Sequence, residues 1–127
     1  MRIDLSDLNT AYMSMRGGKF PDGIYAAKLM KAEVSRSKAD RRQIVWEFEV
    51  RDDVTGRTLV VKKYSQLAAD SMYWLDADLK ALGVTLDHMN DLHQRPAELV
   101  GATIEIDLEN TGDWYIVKFI RVVCSPI

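Results

Sequence analysis

The chain has 127 residues and a formal charge of -2, from 17 Lys and Arg against 19 Asp and Glu. That length fits one domain with an ordinary core, and 47% hydrophobic with 28% charged residues excludes a disordered chain. No apolar run approaches the ~20 residues of a membrane span. The start, Met1-Arg2-Ile3-Asp4, lacks the apolar stretch of a leader, and the single Cys124 leaves no internal disulfide to form, so a cytoplasmic location is expected.

Residues 1–18 read as an N-terminal arm and 19–127 as one domain. In the arm, Leu5, Leu8, Tyr12 and Met15 recur at helical spacing, with Asp4 or Ser6 as cap, until Gly17-Gly18 breaks the pattern. The arm is expected to dock on the body or on a second subunit, or to fray. Pro21-Asp22-Gly23 signals a turn. A first strand runs from Ile24 to Val34, with Lys28 and Lys31 interrupting its apolar positions. A basic loop, Ser35 to Arg42, follows: Arg36, Lys38, Arg41 and Arg42 against the single acid Asp40. Ile44, Trp46, Phe48 and Val50 then alternate with Val45, Glu47, Glu49 and Arg51, a period of two with the first set facing a core. Asp52 to Gly56 turns into a third strand, Arg57 to Tyr64.

The period changes at Ser65, which the pattern assigns as a helix N-cap. Ala68, Met72, Leu75, Leu79 and Leu82 form one helical stripe, and Gly83 suits the C-terminal end. Trp74 flanks the stripe and is expected to pack. Thr85 to His93 reads as a second short helix and Pro96 to Val100 as a turn. Ile104, Ile106 and Leu108 alternate with Thr103, Glu105, Asp107 and Glu109 in a fourth strand. Asn110-Thr111-Gly112-Asp113 makes a hairpin turn, and Trp114 to Val123 is a fifth strand of unassigned facing.

Chemistry-bearing clusters are sparse. His88 and His93 are five apart, and helical metal ligands want three or four. With Asp87 and Asp91 they read as solvated polar residues, and Asp87, Asp91 and His88 are the only candidate ligands for a nuclease accessory, the weakest of three readings. Cys124 has no basic neighbour nearer than Arg121 to activate it, so it reads as a buried or inert thiol. Gly17-Gly18-Lys19 lacks the Ser or Thr and the earlier glycine of a phosphate loop. The expectation is therefore a non-enzymatic protein with no metal or other cofactor.

The order β-β-β-α-β-β predicts a mainly β fold: a five-stranded OB-fold barrel with a helical insertion between strands 3 and 4. A generic α+β sheet is the alternative. Charge is segregated along the chain. Residues 28–64 hold ten basic and six acidic residues, whereas 65–113 hold two basic and ten acidic. Such segregation can steer a polyanion to one side. An OB barrel binds oligonucleotides on strands 2 and 3, between the loops joining strands 1–2 and 4–5. The first loop is the basic one, and the second ends in Trp114-Tyr115. Phosphate contacts are assigned to Arg36, Lys38, Arg41 and Arg42, helped by Lys28, Lys62 and Lys118. Base stacking is assigned to Tyr64, Trp114 and Tyr115. Tyr64 and Lys62 face outward only if Leu59 and Val61 point inward.

Several stretches resemble a phage-encoded family of small OB-fold single-stranded-DNA-binding proteins, long described only as a domain of unknown function. They are Pro21-Asp22-Gly23-Ile24-Tyr25, Ser37-Lys38, Ile44 to Val50, Gly56-Arg57, Trp74-Leu75, Asp78 to Gly83, Leu99-Val100-Gly101 and Trp114 to Val117. The resemblance spans residues 21–123 and rests mostly on turn and core positions. It implies a sequence-independent single-stranded DNA binder of a phage DNA replication or recombination module, in the cytoplasm of a bacterial host. It also implies partners among phage replication or recombination proteins. The chain departs from many such binders in ending Val122-Val123-Cys124-Ser125-Pro126-Ile127 and not in an acidic tail, which puts recruitment by such a tail in doubt. The alternative is an OB-fold protein-protein adaptor that binds no nucleic acid. A homo-oligomer would extend the ~4–16 nucleotides that one barrel covers, and no membrane partner is expected.

Overall fold

The computed structural model describes residues 2–9, 20–112 and 114–126. Five strands form one antiparallel sheet: β1 (Gly23–Arg36), β2 (Arg42–Arg51), β3 (Thr58–Gln66), β4 (Thr103–Asn110) and β5 (Tyr115–Cys124). Their order is β3-β2-β1-β4-β5. Between β3 and β4 lie a helix, α1 (Met72–Leu82), and 3-10 turns at Ala69–Ser71, Met89–His93 and Pro96–Leu99. No helix among the described residues is long and apolar enough to cross a membrane.

The alternating patterns decide which face is covered. Ile44, Trp46, Phe48 and Val50 of β2 and Ile104, Ile106 and Leu108 of β4 are all fully buried. In β1 the inward set is Ala27 and Leu29, then Ala32 and Val34. The parity changes because the register slips between Leu29 and Lys31, leaving Met30 as a bulge residue. That slip accounts for the two lysines that break the apolar pattern: both Lys28 and Lys31 point outward. At the bulge Leu29 exchanges its backbone hydrogen bonds with Gly101 and Ala102. In β3, Val61 is buried and Leu59 half-buried, so Lys62 and Tyr64 face outward. In β5 the inward residues are Val117 and Phe119.

The sheet curls. Phe119 of β5 meets Trp46 and Phe48 of β2 edge-on, at 5.2 and 5.3 Å between ring centroids. Those strands are separated in the sheet by β1 and β4, so their side chains meet only across a rolled interior. The edge strands β3 and β5 also touch there. No backbone ladder joins them, but the Lys63 ammonium donates to the Val117 carbonyl oxygen at 2.7 Å.

α1 buries Leu75, Leu79 and Leu82 against the core and ends at Gly83, whose φ of 70° is the left-handed conformation that a glycine adopts freely. Its start differs from expectation. β3 continues to Gln66, and Ser65 is a buried strand residue and not an N-cap. Its hydroxyl accepts from Trp46 Nε1 at 3.1 Å and donates to Asp78 Oδ2 at 2.9 Å. The hydroxyl satisfies a buried indole, a stronger demand than capping an exposed helix end. Ala68 consequently lies ahead of the helix, exposed. The expected helix at Thr85–His93 is a single 3-10 turn, Met89–His93.

Phe20 is a core residue that no sequence pattern marked. It is fully buried, its ring 5.7 Å from that of Tyr25 and tilted 38° to it, with the Arg57 guanidinium 5.3 Å above its ring. In the arm, residues 2–9 are exposed, with a 3-10 turn at Ser6–Leu8 followed by Asn9 in helical conformation. Tyr12, Met15 and Gly17-Gly18 fall outside the described residues.

Candidate nucleic-acid interface

The loop between β1 and β2 is short and internally bonded. Ser37 N donates to Arg41 O and Asp40 N to Ser37 O, each at 2.9 Å, and the Ser37 hydroxyl accepts from Arg41 N at 3.2 Å. Asp40 sits at φ 59°, a conformation Asp tolerates because its short side chain bonds locally. Arg36 reaches back to both the carboxylate and the carbonyl oxygen of Asp40 at 3.4 Å. Its cation is spent on shaping the turn. Lys38, Arg41 and Arg42 are exposed, and no carboxylate among the described residues forms an ion pair with them.

The outer face of the sheet is not the uniformly basic surface that segment charge suggested. β2 presents Glu47 and Glu49 outward, and the register sets Glu49 beside Lys28, and Glu47 between Lys31 and Lys62. Lys118 likewise lies opposite Asp107. Cross-strand alternation of sign stabilises the sheet and removes most of the field the lysines would exert. Segment charge counts these acids but does not say that the register sets them beside the lysines.

Cations and aromatics converge elsewhere, from the β1-β2 loop past the end of β3 to the seam where β3 meets β5. Two open concavities adjoin there. One, about 540 Å³, is lined by Arg36, Arg41, Arg42 and Asp40 of the loop, then Gln66 and Ser71. The other, about 490 Å³, continues from Gln66 and Ser71 to Tyr64, Trp74, Ile116 and Lys118. Of the residues expected at the site, the fold gathers Arg36, Arg41, Arg42, Tyr64 and Lys118 along this track. Lys28, Lys38, Lys62, Trp114 and Tyr115 line neither concavity.

The floor of the second concavity is a polar network. Trp46 donates to Ser65, Ser65 to Asp78, and Asp78 faces Lys63 at 3.7 Å. Burial pushes the Asp78 carboxyl above the usual carboxylate range, against the pull of Lys63 and the Ser65 hydroxyl. Lys63 ties β3 to β5 and also lies 5.3 Å from the centre of the Phe119 ring. Three elements are thus fastened at one point beneath the track.

At the turn between β4 and β5, Trp114 is 60% exposed, and its backbone is held by Thr111 at 2.7 Å. Tyr115 differs from its expected role. It is half-buried against the core, and its hydroxyl accepts from Phe20 N at 2.8 Å. It fastens the segment ahead of β1 and does not offer a free ring.

Two exposed aromatic residues of α1, one of them lining the track, depart from the sequence reading. Trp74, expected to pack, is 70% exposed, and its neighbour Tyr73 is 76% exposed, with the two rings edge-on at 5.5 Å. The signal was present: both fall off the Leu75-Leu79-Leu82 stripe, and nothing else in the pattern offered them a partner. The His88 region is a capping box. His88 Nδ1 accepts from Asn90 N, and the Asp91 carboxylate accepts from Asp87 N and His88 N. Among the described residues no cluster of ligands could hold a metal ion. Cys124, expected to be buried or inert, is exposed at the end of β5. A scan against protein-family models and a search of curated proteins each return no match.

Proposed function

We propose that the chain is a sequence-independent single-stranded DNA-binding protein built on an OB-type barrel, without catalytic activity. Several features support the barrel: the sheet order, the helix between β3 and β4, the curl that brings Phe119 onto Trp46, and the Lys63 bridge between the edge strands. OB barrels are themselves only partly closed. The resemblance to phage single-strand binders points the same way.

The observation that carries the binding reading is the track of two adjoining concavities. It joins the loop arginines to Tyr64 and Lys118 through the shared residues Gln66 and Ser71. Its charged lining comprises five cations, Arg36, Arg41, Arg42, Lys63 and Lys118, against three carboxylates, Asp40, Asp70 and Asp78. Arg36 cancels Asp40 and Lys63 cancels Asp78, which leaves Arg41 and Arg42 against Asp70, and Lys118 with Asp107 opposite it on β4. The track is locally positive on an acidic protein. Cations that follow a backbone, beside rings that accept bases, are what an unpaired strand requires.

The test is a fluorescence anisotropy titration of labelled oligo-dT, with the matching duplex as competitor, at two salt concentrations. The single strand is expected to bind in preference to the duplex. Its log affinity should fall with log salt by about 0.7 for each phosphate contacted. No binding at low salt overturns the reading. A protein adaptor is the second reading, favoured by an apolar cleft of about 440 Å³ between α1 and the segment after it, lined by Met72, Leu75, Leu79, Val84, Leu86 and Met89. Capture of a protein partner together with indifference to any DNA would select it.

A further inference from the structure

We infer that Trp74, with Tyr73 behind it, is a nucleobase-stacking site on α1, so that the strand leaves the sheet at Tyr64 and crosses onto the helix. The inference rests on the single-strand reading and extends it to a surface outside the sheet face and its two loops. Three observations carry it. Trp74 lines the same concavity as Tyr64 and Lys118, so a strand engaged there lies within reach of its ring. The ring is 70% exposed although α1 already buries a complete leucine stripe, so packing of the helix does not explain it. It is also held edge-on to Tyr73 at 5.5 Å, which fixes an aromatic face before any ligand arrives.

Charge sets the direction of the backbone. On the helix side, Asp76 is paired with Lys80 and Asp78 with Lys63, while Asp70 stands at the shared end of the track. Phosphates are therefore favoured over Lys118 on β5, with bases turned toward Tyr64 and Trp74. A protein partner on the same rings is the competing occupant. It is disfavoured because the concavity shares Gln66 and Ser71 with the one lined by Arg41 and Arg42.

The test compares wild type and Trp74→Ala for binding to oligo-dT and to an abasic oligomer of equal length, with Trp74→Phe as the conservative variant. Loss of one stacked base is expected to weaken oligo-dT binding by roughly 5- to 150-fold. Trp74→Phe should restore most of it, and the abasic oligomer should not distinguish the three proteins. Equal oligo-dT binding by wild type and Trp74→Ala overturns the helix site and leaves the single-strand reading intact. So does an equal loss on the abasic oligomer. A wild type that binds no DNA overturns both.

Discussion

The two hairpin loops beside the track make a useful comparison. Each carries the residue types that binding a strand requires, and each commits one of them to the fold. In the β1-β2 loop Arg36 is held by Asp40, while Arg41 and Arg42 stay unpaired. In the β4-β5 turn Tyr115 is tied to Phe20, while Trp114 stays exposed. Residue type alone does not separate a contact that builds the loop from one the loop offers; the partner does. The difference is that the arginine is committed within five residues, whereas the tyrosine is committed 95 residues away.

The largest effect should come from emptying the buried position beside that long-range tie, which leaves the tie's backbone donor in place. Phe20→Ala removes a fully buried ring and is expected to cost about 3–5 kcal/mol of stability, as for other buried Phe truncations. Urea denaturation followed by the fluorescence of the buried Trp46 measures it. A loss no greater than for an exposed residue would mean that Phe20 does not close this end of the sheet.

The cationic loop is sharpened by setting its arginines against each other. Arg41→Ala and Arg42→Ala should each weaken oligo-dT binding and flatten the salt dependence by about 0.7 in log-log slope. Arg36→Ala should leave the slope nearly unchanged, because that guanidinium is already neutralised by Asp40. Equal slopes for all three variants would erase the distinction between built and offered cations.

What the sequence made legible follows the range of the interactions involved. The inward sets of β2 and β4 repeat every two residues, and the leucine stripe of α1 every three or four, so both are written locally. The basic loop is a run of neighbours and is equally plain. Ser65 was misread because its true partners, Trp46 and Asp78, lie 19 and 13 residues away, and a hydroxyl ahead of a helical pattern looks like a cap. The outer lysines were over-credited because Glu47 and Glu49 neutralise them only through the register, which segment charge does not encode. Trp74 reads as a packing residue because it flanks the leucine stripe, and its exposure follows from the tertiary arrangement around α1, which the stripe does not encode.

A smaller effect is expected from the tyrosine itself. Tyr115→Phe removes the acceptor of the Phe20 amide and should cost about 1–2 kcal/mol, the penalty for leaving a part-buried donor unmet. Oligo-dT affinity should be unchanged, since the ring remains in place. A variant that keeps its stability but loses affinity would mean that the hydroxyl serves the strand and not the Phe20 amide.

The smallest effect should come from the network under the seam, and it is visible only as a pH dependence. Burial raises the Asp78 carboxyl above its ordinary value of 3.8, so the folded protein holds this proton more tightly than the unfolded chain does. Between 3.8 and the raised value the folded state binds more protons, and stability falls as pH climbs through that window and is level above it. Asp78→Asn removes the titrating group while keeping an acceptor for the Ser65 hydroxyl. Urea denaturation of both proteins across the acid range should therefore give a stability difference that moves in favour of the wild type as pH falls. Near neutrality the variant should lose little, because an amide escapes the desolvation that offsets the attraction of Lys63. If the difference moved the other way, the ion pair would outweigh burial, and charge, not hydrogen bonding, would be what fastens β3, β5 and α1 beneath the track.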